Sequence, residues 1–157
     1  MKGSIENKTK HALVTGGSRG IGKAVCIQLA KDTEYHILIN YNSNKLEALN
    51  TLKEVNRVGG IGEILQFNVV NVDEVKKVLD AWNERNKDAI IEVLVNNAGI
   101  TKDGLFMWMP QNDWQDVINT SLNGFFNVTN HLIQKLLVNR YGRIINMVSV
   151  SGLKGTP

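Results

Sequence analysis

Four glycines lie within seven residues, Gly16, Gly17, Gly20 and Gly22, with Ser18, Arg19 and Ile21 among them. Residues 15–22 therefore suit chemistry performed by the main chain. Glycines let a phosphate approach the backbone closely. A helix that starts there presents unpaired N–H groups and a positive dipole end, which together hold an anion such as a pyrophosphate. The spacing is G-x-x-x-G-x-G, not the G-x-G-x-x-G of the general dinucleotide fingerprint. No Gly-Lys-Ser/Thr triplet follows, which excludes a P-loop.

A second group of polar residues, Asn96-Asn97-Ala98-Gly99, follows an apolar run. In open α/β sheets ligands bind beyond the carboxyl ends of strands, so this block belongs beside the glycine turn. A third place is the end of the second apolar run, Ile39-Asn40-Tyr41-Asn42-Ser43-Asn44-Lys45. An acid here would accept hydrogen bonds from a plain adenosine ribose and repel a 2′-phosphate. None occurs before Glu47, and Arg19 supplies a guanidinium fork suited to a phosphate. With Tyr41 and Asn42 beside the ribose, and Lys45 assisting from a distance, the ligand expected is NADP(H). A fifth apolar run closes on two serines, Ser149 and its nearby rival Ser151.

These groups need a scaffold, and the chain alternates short apolar runs with helical periodicities, as a parallel sheet flanked by helices requires. Strands are expected over residues 11–14, 36–41, 61–67, 90–95 and 143–148. Helices are expected over residues 21–31 and 45–57, then one opened by Asp73 as N-cap with Val75, Val78, Leu79 and Trp82 inward. One long helix follows over residues 114–138. The fold class expected is α/β, a Rossmann-type doubly wound parallel sheet with helices on both faces. Residues 11–157 form the domain and residues 1–10 a flexible tail.

Thr-Gly-x-x-x-Gly-x-Gly together with Asn-Asn-Ala-Gly at this separation resembles the short-chain dehydrogenase/reductase family, from His11 to Pro157. The string Asn96 to Asp103, and Tyr141-Gly142-Arg143-Ile144-Ile145-Asn146 followed by Ser149, are similar to the branch of 3-oxoacyl-(acyl-carrier-protein) reductases of fatty acid synthesis. Acetoacetyl-coenzyme A reductases look much the same. The resemblance implies hydride transfer from NADPH to a carbonyl, and an acyl thioester substrate that an acyl carrier protein can carry. It also implies a homo-oligomer, dimer or tetramer. Asn68 and Val69 would flank the adenine, while Asn96, Ala98 and Gly99 would line the ribose side.

In that family a serine polarises the carbonyl and a tyrosine donates the proton. A lysine lowers the pKa of the tyrosine, since a phenol near pH 10 is a poor relay at neutrality. Ser149 matches the serine. Tyr-x-x-x-Lys should follow about a dozen residues later, beyond Pro157, along with the last strands and helices. Tyr41 and Lys45 match its letters, but at the adenosine end. The 157-residue chain alone is accordingly expected to be inactive, with an apolar fifth strand at an exposed sheet edge. Ser121 stands where many members carry an asparagine that holds a water of the proton relay. A non-catalytic NADP(H)-binding module is the alternative of another class.

The remaining sequence is less specific. Residues 105–109, Leu-Phe-Met-Trp-Met, either rim an acyl-chain site or pack the start of the long helix. Phe125, Phe126 and Leu132 are either core or part of a dimer surface. Arg140 and Arg143 match positions near the carrier protein, or are plain surface arginines. A net charge of +3 comes from scattered lysines and arginines, which gives no nucleic-acid footprint. No apolar run is long enough to span a membrane. Cys26 is the only cysteine, which excludes an intrachain disulfide and fits a reducing cytoplasm.

Overall fold

The structure is a computed structural model and describes residues 8–154. Residues 1–7, the larger part of the expected tail, and residues 155–157 lie outside it. Strands β1 (Thr9–Val14), β2 (His36–Tyr41), β3 (Gly62–Gln66), β4 (Ala89–Asn96) and β5 (Arg143–Asn146) pair in parallel in the order β3-β2-β1-β4-β5. Strands β1, β2 and β4 are apolar on both faces because helices cover both, as buried parallel strands require. On one side Cys26 and Ala30 of α1 (Gly20–Asp32) and Val55 of α2 (Lys45–Arg57) pack on Ala12, Val14, Ile37, Ile39, Val93 and Val95. On the other, α3 (Val72–Arg85) and α5 (Gly124–Asn139) bring Val75, Leu79, Trp82, Val128 and Leu132 against Leu13, Leu38, Leu65 and Leu94. The doubly wound expectation holds.

Several boundaries move for identifiable reasons. Strand β1 takes in Thr9 and Lys10, which pair with Ala89 and Ile90 rather than trailing as a tail. The cap of α3 is Asn71, not Asp73: the Asn71 Oδ1 accepts from the amides of Asp73 and Glu74 at 3.1 and 3.2 Å. Asp73 instead lies in the first turn, where it favours the helix dipole. The long helix starts earlier, as α4 (Gln111–Ile118) after Pro110, and is interrupted by a π-helical turn over Asn119–Asn123. There the Gly124 N–H reaches back five residues to the Asn119 carbonyl. Strand β5 ends at Asn146, and the Met147 N–H bonds the Asn96 carbonyl at 2.9 Å. A short α6 (Ser151–Lys154) follows.

A register shift between His11 and Ala12 leaves Glu92 as an extra residue in β4. Its buried carboxylate accepts from the Tyr35 hydroxyl at 3.1 Å and the Asn139 Nδ2 at 3.3 Å, and Lys10 Nζ lies 3.6 Å away. A buried charge so partnered is tolerated. Among the described residues the outer edge of β5 pairs with no strand, and Val148 is 89% exposed. Leu132 is core, whereas Phe126 is 61% exposed. Phe106–Trp108 form a single 3-10 turn whose side chains face solvent instead of packing on α4.

Candidate functional site

The strand order reverses at β1: β2 and β3 lie on one side of it, β4 and β5 on the other. At that switch point, beyond the carboxyl ends, lies a cavity of about 770 Å³. Its floor is the turn after β1, with Gly16, Ser18, Arg19, Gly20, Ile21 and Gly22. The end of β2 supplies Tyr41 and Asn42, the segment after β3 supplies Asn68 and Val69, and the segment after β4 supplies Ala98 and Gly99. The structure thus brings together every expected cofactor residue except Asn96.

Asn96 points away because of strand alternation, in which side chains two apart share a face. It follows Leu94 toward α5, where its Nδ2 donates to Thr129 Oγ1 and Asn146 Oδ1, both at 3.0 Å. It ties β4 to β5 and α5. The next residue, Asn97, is the one that lines the cavity. Its Nδ2 donates to the Thr15 and Gly16 carbonyls at 2.9 and 3.2 Å. Thr15 Oγ1 accepts from the amides of Asn97 and Ala98 at 2.9 and 3.0 Å. The Asn-Asn-Ala-Gly block is therefore clamped to the glycine turn. Close approach explains two of the glycines. Gly16 has φ +62°, and a Cβ there would stand 3.0 Å from Ala98 Cα. A Cβ on Gly22 would collide with the Gly16 carbonyl oxygen and lie 2.5 Å from Asn97 Nδ2.

Asn40, a residue the sequence reading passed over, holds the turn from the other side. Its Oδ1 accepts the Gly16 N–H at 3.1 Å, and its carbonyl accepts the Gly17 N–H at 2.9 Å. Thr51 donates to the Ser18 carbonyl at 2.8 Å. Cys26 lies buried beneath, its Sγ 3.9 Å from the Gly17 carbonyl, and burial pushes its pKa up to about 12. With Gly16 and Gly17 engaged, the amides of residues 20–22, which a helix cannot satisfy internally, are on offer. Helices α2 and α3 cap theirs with Asn44 and Asn71 and carry acids in the first turn. Helix α1 has no side-chain cap and no first-turn acid. Its positive end faces the cavity, with the exposed Arg19 guanidinium beside it; the one acid in the lining, Asp116, has Lys102 Nζ 3.7 Å away.

The wall beyond β3 is shaped by carboxamides. Asn68 Oδ1 accepts the Val70 N–H at 3.0 Å, and Asn127 Nδ2 of α5 donates to the Val69 and Val70 carbonyls at 3.0 and 3.1 Å. The Tyr41 hydroxyl donates to Gln66 Oε1 at 3.2 Å. Tyr41 sits at the β2 end of the cavity with Asn42, Ser43 and Asn44, while Lys45, the first residue of α2, is not among the lining residues. A second cavity of about 300 Å³ lies between the ends of β4 and β5 and the π-turn, lined by Asn96, Gly99, Ser121, Phe125, Asn146 and Met147 among others. Ser121 faces it. Ser149 lies past the end of β5, exposed and lining neither cavity; its Oγ accepts the Ser151 N–H at 3.1 Å. The hydroxyl proton of Ser149 stays available to donate.

Residues 10–157 match the family model described as short chain dehydrogenase. A 3-oxoacyl-[acyl-carrier-protein] reductase of Staphylococcus epidermidis is 41% identical over 148 residues, 94% of this chain and 59% of that protein. The enzymes of that name from Staphylococcus aureus and Synechocystis sp. are each 42% identical, over 95% and 93% of the chain and 59% and 58% of their own lengths. The chain thus spans about three-fifths of the curated relatives it matches. A crystal structure of a protein from Agrobacterium tumefaciens, provisionally assigned as a gluconate dehydrogenase, superposes with TM-score 0.84 at 31% identity, covering 94% of this chain and 56% of that one.

Proposed function

The chain belongs to the short-chain dehydrogenase family, and from that premise we propose that it binds NADP(H) and forms the cofactor-binding part of a 3-oxoacyl thioester reductase. The observation that carries the reading is the uncapped start of α1, with no first-turn acid, opening onto the larger cavity beside Arg19. Free amides and a helix dipole there favour the pyrophosphate. Arg19, with no acid between Asn40 and Lys45 to oppose it, favours a 2′-phosphate over a bare ribose. The adenine lies against Asn68 and Val69, and the ribose beside Ala98 and Gly99.

When bound, the dinucleotide supplies a hydride to a carbonyl carbon. The chain's own contribution is to fix the cofactor's position and, through the Ser149 hydroxyl, to donate a hydrogen bond to the substrate oxygen. Ser121, at the second cavity, holds a water for the proton relay. An acyl group on a carrier protein is the substrate that the relatives' names give. Two features support it: Arg140, exposed and held at φ 56°, and Arg143, whose guanidinium lies 4.7 Å from the Tyr141 ring centroid. An arginine kept in a left-handed conformation, where glycine is preferred, suits a docking contact for an acidic partner. The exposed Phe126, Leu137 and Val138 of α5 suit a second copy of the chain.

The second reading, an NADP(H)-binding module without turnover, is favoured by Ser121 in place of the family's asparagine. Two measurements decide. NADPH should raise the melting temperature more than NADH at matched concentration; equal shifts overturn the NADP(H) assignment. Protein expressed from the complete coding sequence should oxidise NADPH with an acetoacetyl thioester, and Ser149→Ala should abolish that activity while leaving NADPH affinity nearly unchanged. NADPH binding without oxidation supports the module.

A further inference from the structure

Resting on the NADP(H) reading, we propose that Asn40 is a positioning residue for cofactor binding, setting the phosphate-binding turn and the adenine wall relative to each other through one side chain. Asn40 is 2% exposed and stands in β2 between two apolar residues, Ile39 and Tyr41, where a hydrophobic side chain would satisfy packing alone. Its carboxamide is used in both directions. The Oδ1 accepts the Gly16 N–H at 3.1 Å, on the turn after β1. The Nδ2 donates to the Phe67 and Leu65 carbonyls at 3.0 and 3.4 Å, at the end of β3. Gly16 opens the cavity floor, and Phe67 leads directly into Asn68 and Val69 of the adenine wall. Neither segment bonds the other through the main chain at this level, since β1 and β3 are separated by β2. Asn40 spans the gap.

The carboxamide also engages the Gly16 amide itself. With the Gly17 N–H held by the Asn40 main-chain carbonyl, the first amides after β1 are spoken for, and the anion is left to the start of α1. Asn127, by contrast, bonds only the Val69 and Val70 carbonyls and touches the wall without touching the turn.

The distinction can be read with two probes. NADPH occupies both subsites, whereas adenosine, which carries neither the pyrophosphate nor the 2′-phosphate that meets Arg19 on the turn, occupies only the adenine wall. Asn40→Leu, close to the native side chain in size, removes both hydrogen-bonding ends. It should weaken NADPH at least about tenfold more than it weakens adenosine, because the two ends of NADPH no longer meet their subsites together. Asn127→Ala should weaken both probes by one common factor. A merely structural role for Asn40 would lower stability, and would shift the two affinities alike or not at all; that result overturns the proposal. Should Asn40→Leu fail to fold, Asn40→Ser, which fits the same space, is measured by the same ratio. Wild-type chain that binds neither probe overturns the NADP(H) reading and this role with it. Wild-type binding of both, with a ratio unchanged in the Asn40 variant, overturns this role alone.

Discussion

Replacing Gly22 by alanine tests the closest approach in the site. Gly22 lies in the first turns of α1, where alanine is the better helix former by up to about 1 kcal/mol. Considered as a helix residue alone, it should stabilise the chain. The structure predicts the reverse. A Cβ at Gly22 would run into the Gly16 carbonyl oxygen and stand 2.5 Å from Asn97 Nδ2 and 3.0 Å from the Gly16 carbonyl carbon. These are backbone atoms and a clamped carboxamide, so nothing at the end of a flexible side chain can yield. Overpacking of this kind costs about 1–3 kcal/mol. The two bonds from Asn97 to Thr15 and Gly16 add about 1 kcal/mol each if they are lost. The net loss is about 2–4 kcal/mol, a fall of about 5–15 °C in Tm for a chain of this size. Gly20→Ala is the control: its φ of +55° is strained for alanine, but no heavy atom lies within 4 Å of the added carbon. Strain alone costs about 1 kcal/mol, a few degrees. Thermal denaturation of both variants, with NADPH titration, gives the answer. A Gly22→Ala chain as stable as wild type, or no worse than Gly20→Ala, would refute the close packing of α1 on the turn.

Arg19→Ala should weaken NADPH by about tenfold or more, the scale of one charge-assisted contact, and leave NADH nearly unchanged; equal losses in equilibrium titrations would remove Arg19 from the phosphate site. Cys26, fully buried with its thiol pKa pushed up to about 12, should resist alkylation in the native chain and react fully in denaturant; rapid native labelling would contradict the packing beneath the turn. His11 and His131 both have pKa values lowered, chiefly by burial, from an ordinary 6.5. Below that value the unfolded chain takes up protons that the folded chain refuses, so stability falls as pH drops through and below 6.5 and is untouched above it. Between about pH 8 and pH 5.5, His11→Gln should show a shallower loss of Tm than wild type; an equal slope would dismiss His11 as a source.

The sheet and its order of elements were legible because the apolar runs are long enough to fix their period. Residues 36–41 and 45–57 carry enough leucine and isoleucine to set both ends of β2 and α2. What escaped depends on neighbours in space. Asn40 looks like a stray polar residue in an apolar strand until the turn and β3 are seen on either side of it. The exchange of Asn96 for Asn97 was readable in principle: counting by twos from the buried Leu94 puts Asn96 on the α5 face. The π-turn at Asn119–Asn123 has no marker in residue type. It runs directly into Gly124, where a Cβ would come within 2.6 Å of Val69 Cγ2. Asn71 outcompeted Asp73 as cap because its side chain reaches two amides at once.

A crystal structure of the chain soaked with NADPH tests the central claim most directly. The account predicts the pyrophosphate against the main-chain N–H groups at the start of α1, with the adenosine 2′-phosphate within hydrogen-bond reach of the Arg19 guanidinium. Density for the dinucleotide at another face, or an empty bend between β1 and α1 at saturating NADPH, would contradict it.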